Sequence, residues 1–240
     1  MDVVYLVSKC PNNNIELRYS LRSLKNIKYD NVFLVWYKPN WVKNVKHIPF
    51  NDKDDKFLNV KKKQKIIASH PDISDNFIYM NDDFYFLKPQ EVKNYKIWTV
   101  DQQVEYIKSV VDNYKVYHYY RSITDILRMF GRWDSYETHT PMIFNKKKMQ
   151  EVIEWKPDYR TTSFRSLYGN YHSIPAELLT NTPDYKKYKR GCIDCKMYNL
   201  EDLYLQEWQL LLSSENKLAK SKEFEIFMDK LFPSKCFYEK

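Results

Sequence analysis

The residues of this chain richest in chemistry are Asp82 and Asp83, which close the run Phe77-Ile78-Tyr79-Met80-Asn81. A short run that is apolar throughout reads as a strand buried on both faces. Acids directly after such a strand stand at its carboxyl end, where open α/β sheets bind ligands. Adjacent side chains of an extended chain point to opposite sides. One acid can then face a site directly, while the other acts through water or from a turned backbone. The same Asn-Asp-Asp segment also suits a solvated turn between strands. Other polar groups stand at element ends: His139 before Thr140-Pro141, Ser213 and Glu215 after Leu210-Leu211-Leu212, and Arg18 and Arg165 opening helices. Strand ends gather on one side of a sheet, so these groups can converge although they lie far apart in sequence. Carboxylates holding Mg²⁺ or Mn²⁺, with arginines beside them, suit a diphosphate donor whose charge must be neutralised as the nucleotide leaves.

The elements that must position these groups follow from hydrophobic spacing. Val3 to Val7 is a first strand, and Pro11-Asn12-Asn13-Asn14 breaks it and offers an N-cap. Leu17, Leu21, Leu24 and Ile27 then fall on one helix face, with Arg18 and Arg22 one turn apart on a neighbouring face. Asn31 to Tyr37 is a second buried strand, completing a βαβ unit with a right-handed parallel crossover. Val45 to Ile48 suits a short strand. A helix from about Phe57 to Ser69 turns Phe57, Val60, Ile66 and Ile67 inward and its lysines outward. Lys62 and Lys65 on it are open between phosphate contact and a solvated face, and Lys65 is the candidate donor contact.

Beyond Pro89 the pattern loosens. Ile97 to Val100 reads as an edge strand, and Gln103 to Phe130 as a helical insertion covering the site. Tyr117-His118-Tyr119-Tyr120 within it is either packing or a sugar platform. Tyr136 to Phe144 reads as a strand, Lys146 to Trp155 as the next helix, and Ser163-Phe164-Arg165-Ser166 as the start of another. Leu210 to Asn216 is a further strand with a polar end, and a helix spans about Phe224 to Leu231. The expectation is one α/β domain over 1–240, a Rossmann-like, mostly parallel sheet flanked by helices. About 1–90 form the donor-binding half, and about 91–240 the acceptor, insertion and closing half.

Composition bounds the function. The 240 residues are 43% hydrophobic and 17% aromatic, enough for a sizeable core. Only Gly131, Gly169 and Gly191 occur, which excludes a P-loop and a Gly-x-Gly-x-x-Gly dinucleotide loop. A formal charge of +8 favours anionic partners: phosphate-bearing donors, polyanions, nucleic acid or an acidic membrane surface. Cys192 and Cys195 form a Cys-x-x-Cys without a second pair at zinc-finger spacing. Four scattered cysteines, no basic leader and no window near the ~20 apolar residues of a span give the expectation of a soluble cytoplasmic chain, with peripheral membrane contact allowed.

Several stretches carry a family resemblance. Asn14 to Leu24 resembles the "NELRYSLRS" segment of the Stealth family of sugar-phosphate transferases, and Phe77 to Asp83 its "FIYLNDD" strand. His139-Thr140-Pro141 is similar to its His-x-Pro element, and Phe164-Arg165 to its later Phe-Arg pair. Phe232-Pro233-Ser234-Lys235 with Tyr238-Glu239 resembles its closing block. The resemblance implies a nucleotide-binding fold related to metal-dependent GT-A glycosyltransferases, and transfer of a sugar-1-phosphate or a glycosyl group from a UDP-sugar to a glycan hydroxyl, as in capsule polysaccharide synthesis. It implies that Asp82 and Asp83 hold Mg²⁺ or Mn²⁺ and the donor diphosphate, with Asn81 and Arg18 as further donor contacts and Arg22 structural. His139 would be the base or a phosphate contact, and Arg165 would stabilise transferred-phosphoryl charge. Two departures stand out: Ser8-Lys9-Cys10 replaces the family's Gly-Ser-Asp, and Ser213-Ser214-Glu215-Asn216 replaces its "IND", leaving Glu215 as the candidate third metal ligand. Two other functions stay open, a glycosyltransferase acting on a polyanionic acceptor such as DNA and a non-catalytic basic nucleic-acid-binding module.

Overall fold

The computed structural model describes residues 1–51, 56–99, 131, 134–156, 164–178, 192–193, 210–214 and 218–240. The expected insertion with its Tyr117–Tyr120 cluster, Glu215, Asn216 and Cys195 lie outside the described residues.

Three apolar runs become the centre of the main sheet: β1 (Asp2–Val7), β2 (Val32–Trp36) and β4 (Asn76–Met80). β1 pairs in parallel with both β2 and β4, and β3 (Lys46–Pro49) extends the sheet in parallel beyond β2. The far edge is β8 (Met142–Asn145), which runs antiparallel to β4. The order is therefore β3-β2-β1-β4-β8. Central strands lack a polar face because both faces are covered. Val3, Tyr5 and Val7 pack with Leu17, Leu21 and Leu24, whereas Val4 packs with Ile67, Met149 and Val152. α1 (Ile15–Ser23) thus covers one face, and α2 (Lys56–Ser69) with α3 (Lys146–Trp155) covers the other. This is a mixed α/β fold with a mostly parallel central sheet flanked by helices.

Two small sheets lie beside it. β5 (Phe84–Phe86) pairs antiparallel with β11 (Leu211–Ser214), and β10 (Cys192–Ile193) joins β11 in parallel. β6 (Tyr95–Thr99) lies between β7 (Asp134–Ser135) and β9 (Glu177–Leu178). Helix α4 (Phe164–Tyr171) follows the β8–α3 unit in sequence, and α5 (Lys222–Leu231) closes the chain. Ser221 caps α5 by accepting from the N–H of Phe224, and Asn145 caps α3 in the same way through Lys148.

Three local expectations are corrected. Tyr136 to Pro141 is not strand: His139 has φ of 49°, a left-handed conformation that interrupts an extended run, and the strand starts only at Met142. The strand expected at an edge from Ile97 is instead the middle strand of its sheet, because β6 lies between β7 and β9. The lysines of α2 are not all outward, since Lys63 is buried with its ammonium 3.3 Å from the Trp36 ring centroid and 5.1 Å from that of Phe50.

Candidate functional site

The sheet order fixes where a ligand can enter. From β1 the chain builds outward through β2 and β3, then returns to the other side of β1 as β4. Beyond the carboxyl ends of β1 and β4 lies the crevice that such a reversal leaves open. Asp82 and Asp83 follow β4 directly, and Ser8 to Cys10 follow β1. The two ends are close enough for the Asp82 charge to help burial raise the Cys10 thiol.

The acidic turn is held from its partner strand. Ser214 donates its backbone N–H to the Asp83 carbonyl at 3.2 Å, and its hydroxyl donates to Glu16 Oε1 at 2.8 Å. Tyr85 and Ser214 share a hydroxyl contact of 2.7 Å. Glu16 is thereby fixed, 4% exposed, facing the same turn. Burial raises its carboxyl, against the hydrogen bond from Ser214. Burial, and then the Glu16 charge, push Asp82 up to about 7. Asp83 is raised well above the ordinary carboxylate range by burial, then by Asp82 and Glu16, with Arg165 pulling the other way. Three carboxyls therefore share a poorly compensated negative field.

Glu16 is the site residue that sequence reasoning missed, and its signal lay within the helix motif. Glu16 and Ser20 are one turn apart, so they form a short polar stripe on one side of the helix. Ser20 confirms the direction by donating to the Phe84 carbonyl at 2.5 Å and meeting the Tyr5 hydroxyl at 2.9 Å. The same geometry displaces Arg18. Two residues from Glu16 is about 200° around the helix, so Arg18 points away. It lies 5.0 Å from the Trp41 ring centroid, with Nε 3.7 Å from Glu239. Arg22, one turn on, makes a two-pronged pair with Glu239 at 2.7 and 2.9 Å and donates to the Phe232 carbonyl. That face of α1 binds the C-terminal segment, which fits the structural role expected for Arg22.

The far half of the chain supplies a histidine and an arginine. Because β8 runs antiparallel to β4, the loop before it lies at the end where β4 finishes. His139 sits on that loop, 52% exposed, with Nδ1 3.8 Å from Asp83 Oδ2 and its ring edge-on to Phe84 at 5.5 Å. That separation exceeds a hydrogen bond and allows charge attraction once the ring is protonated. Arg165, second residue of α4, donates to the Thr140 carbonyl, and its guanidinium lies 5.5 Å from the Phe84 ring centroid and 5.6 Å from that of Tyr79. Asp82, Asp83, His139 and Arg165 are thus brought together, with Asn81 opening the turn. Lys65 is on the exposed face of α2, away from the inward-turned Lys63 and Gln64.

A divalent cation suits this turn in one respect. Asp83 Oδ1 is buried with no hydrogen-bond partner among the described residues. Mg²⁺ is commonly held by one or two carboxylates together with substrate phosphates, so a lone acidic pair is sufficient protein for it. Among the described residues no group of three or more His, Cys, Asp or Glu is arranged to hold a metal by itself. No helix among them is long and apolar enough to cross a membrane.

No protein-family model matches the chain, and no curated protein sequence does. Among solved structures it is similar to the glycosyltransferase GlyE of Streptococcus pneumoniae TIGR4, at 9% identity and a TM-score of 0.41, over 97% of this chain and 63% of that one. The apo form of GlyE aligns at 11% identity and a TM-score of 0.39, over 100% of this chain and 65% of that one. The chain thus spans less than two thirds of the length of these neighbours.

Proposed function

We propose that the chain is a nucleotide-sugar-dependent transferase, moving a sugar-1-phosphate or a glycosyl group from a UDP-sugar to a glycan hydroxyl. The observation that carries this reading is the half-buried acidic pair at the reversal point of the sheet, with a histidine and an arginine facing Asp83 from the other half of the chain. A hydrolase or kinase using a glycine loop has no place for its phosphates here, since three glycines in all do not build one.

Each group has a task its surroundings suit. Asp82 and Asp83 would hold Mg²⁺ or Mn²⁺, which when bound would neutralise the donor diphosphate as UDP or UMP leaves. Arg165, steered by the Thr140 carbonyl and the faces of Tyr79 and Phe84, presents a fixed positive charge where phosphoryl negative charge builds up. His139 is exposed enough to meet an incoming hydroxyl and can take its proton, and Asp83 then stabilises the imidazolium. The two proposed halves of the chain meet in this arrangement, donor-holding acids from the first and reacting groups from the second.

A panel of nucleotide-sugars with Mn²⁺ and simple glycan acceptors, followed by mass spectrometry of the released nucleotide, tests the reading. UMP release marks sugar-1-phosphate transfer, and UDP release marks glycosyl transfer. If no nucleotide-sugar is turned over and none raises the melting temperature, with metal or without, the reading fails.

A further inference from the structure

The candidate site leaves one half-buried carboxyl unexplained. Glu137 lies two residues before His139, and its Oε1 accepts from both the backbone N–H of Ser166 at 3.0 Å and the Ser166 hydroxyl at 3.1 Å. The backbone N–H of Arg165 also bonds to it, and burial raises its carboxyl to about 7 against the opposing pull of the Arg165 guanidinium and of these hydrogen bonds. Arg165 and Ser166 are the second and third residues of α4, whose first-turn N–H groups have no partner within the helix. Glu137 therefore caps α4 from outside, its carboxyl oxygen accepting the first-turn N–H groups at the positive end of the helix.

The neighbouring contacts tighten the same joint. Tyr136 donates its N–H to the Ser166 hydroxyl at 3.0 Å, and Asn170 donates to the Asp134 carbonyl at 2.7 Å. Thr138 and Thr140 share a hydroxyl contact of 2.6 Å across His139, and Arg165 reaches back to the Thr140 carbonyl. The loop carrying His139 and the helix turn carrying Arg165 are thus bolted together, with Glu137 at the centre.

We propose that Glu137 is a positioning residue, whose carboxylate holds the His139 loop and the first turn of α4 as one unit facing Asp83. This rests on His139 and Arg165 being the working groups of the transferase reading. Glu137 touches neither donor nor acceptor and acts through Arg165 and His139. It is a feature of this chain's own Tyr136-Glu137-Thr138-His139 segment and needs no metal to operate.

The test compares the unsubstituted 240-residue chain with Glu137→Ala, Glu137→Gln, Arg165→Ala and the Glu137→Ala/Arg165→Ala double variant. The first readout is turnover of whichever nucleotide-sugar the panel identifies. A displacement of about 1 Å costs on the order of 100-fold in rate. Glu137→Ala is accordingly expected to lose about 100-fold in kcat with donor KM unchanged. Glu137→Gln, whose amide oxygen still accepts an N–H, recovers most of that loss. In the Arg165→Ala background the removal of Glu137 costs less than it does alone, which a merely structural role would not produce. One of the two groups it positions is already gone there, and only the His139 loop remains to be displaced. The second readout, amide hydrogen exchange at Arg165 and Ser166, is independent of any activity and is expected to quicken in Glu137→Ala. Additive losses in the double variant, or wild-type kcat in Glu137→Ala, overturn the proposal. Should Glu137→Ala not fold, the Gln variant decides on turnover, since a 100-fold loss there sinks the idea. If the wild type turns over no nucleotide-sugar, the transferase reading falls. The exchange arm then still judges the capping joint, and unchanged protection at Arg165 and Ser166 refutes it.

Discussion

Replacing Asp82 by asparagine is expected to stabilise the folded chain above pH 7, the reverse of what most substitutions at partly buried polar positions do. Burial and the Glu16 charge lift the Asp82 carboxyl from 3.8 to about 7. Between those values the folded state binds a proton that the unfolded state has released, so stability falls as pH rises through the interval. Below about pH 4 both states are protonated and Asp82 has no such effect. At 1.36 kcal/mol per unit the ionised carboxylate costs at most about 4 kcal/mol above pH 7, and water reaching the turn screens roughly half of that. Asparagine keeps the shape and removes the charge, so a gain of about 2 kcal/mol is expected at pH 8. In a chain of this size that is a rise in melting temperature of roughly 4–8 °C. The assay is thermal unfolding by circular dichroism at pH 4, 6 and 8 in EDTA. Glu16 and Asp83 are raised in the same direction and leave a shallower slope in the variant. A variant less stable than wild type at pH 8, or one whose advantage is the same at pH 4, would refute the electrostatic reasoning.

Other expectations follow from the same contacts. Mn²⁺ or Mg²⁺ at millimolar concentration should raise the melting temperature at pH 7.5 and release protons on binding, because a cation favours the ionised forms of Asp82 and Asp83. Asp83→Asn should abolish both effects in thermal-shift and calorimetric measurements, and retention of full metal stabilisation would exclude Asp83 as a ligand. Removing one side of the buried Arg22–Glu239 pair by Glu239→Ala leaves a desolvated guanidinium and should cost about 3–5 kcal/mol in urea unfolding. Glu239 is depressed by its hydrogen bonds with Arg22 and the Cys236 N–H, which outweigh burial. Its contribution is therefore present above the ordinary glutamate pKa and lost as pH falls through the lower, folded one. In Gly169→Ala the new Cβ would meet the Tyr136 ring at 2.4–2.6 Å. That ring is pinned by its hydroxyl donating to the Ile174 carbonyl at 2.7 Å, so a loss of about 1–3 kcal/mol is expected. A neutral melting temperature would mean that the ring swings clear.

The amino-acid sequence by itself determined the parallel core. Short runs apolar at every position and rich in β-branched and aromatic residues, such as Val32 to Trp36 and Phe77 to Met80, read as strands covered on both faces, and the Leu17-Leu21-Leu24 spacing serves one helix face. It also marked Asp82 and Asp83, because an acidic pair ending such a strand is a local pattern. What it left open was direction and partnership. The antiparallel course of β8 brings His139 to Asp83, a long-range pairing that no local spacing encodes. The pairing of β11 with β5 presents Ser214 to Glu16 for the same reason. Helix rotation separated Glu16 from Arg18, and it was decided by which face of α1 met the C-terminal segment through Arg22 and Glu239. Burial of Lys63 against Trp36, and the docking of Glu137 on the first turn of α4, likewise depend on what packs beside them. The acids at Asn81-Asp82-Asp83 were legible because their setting is written in adjacent residues. Their raised affinity for protons was not, since it comes from burial and from a neighbour on another element.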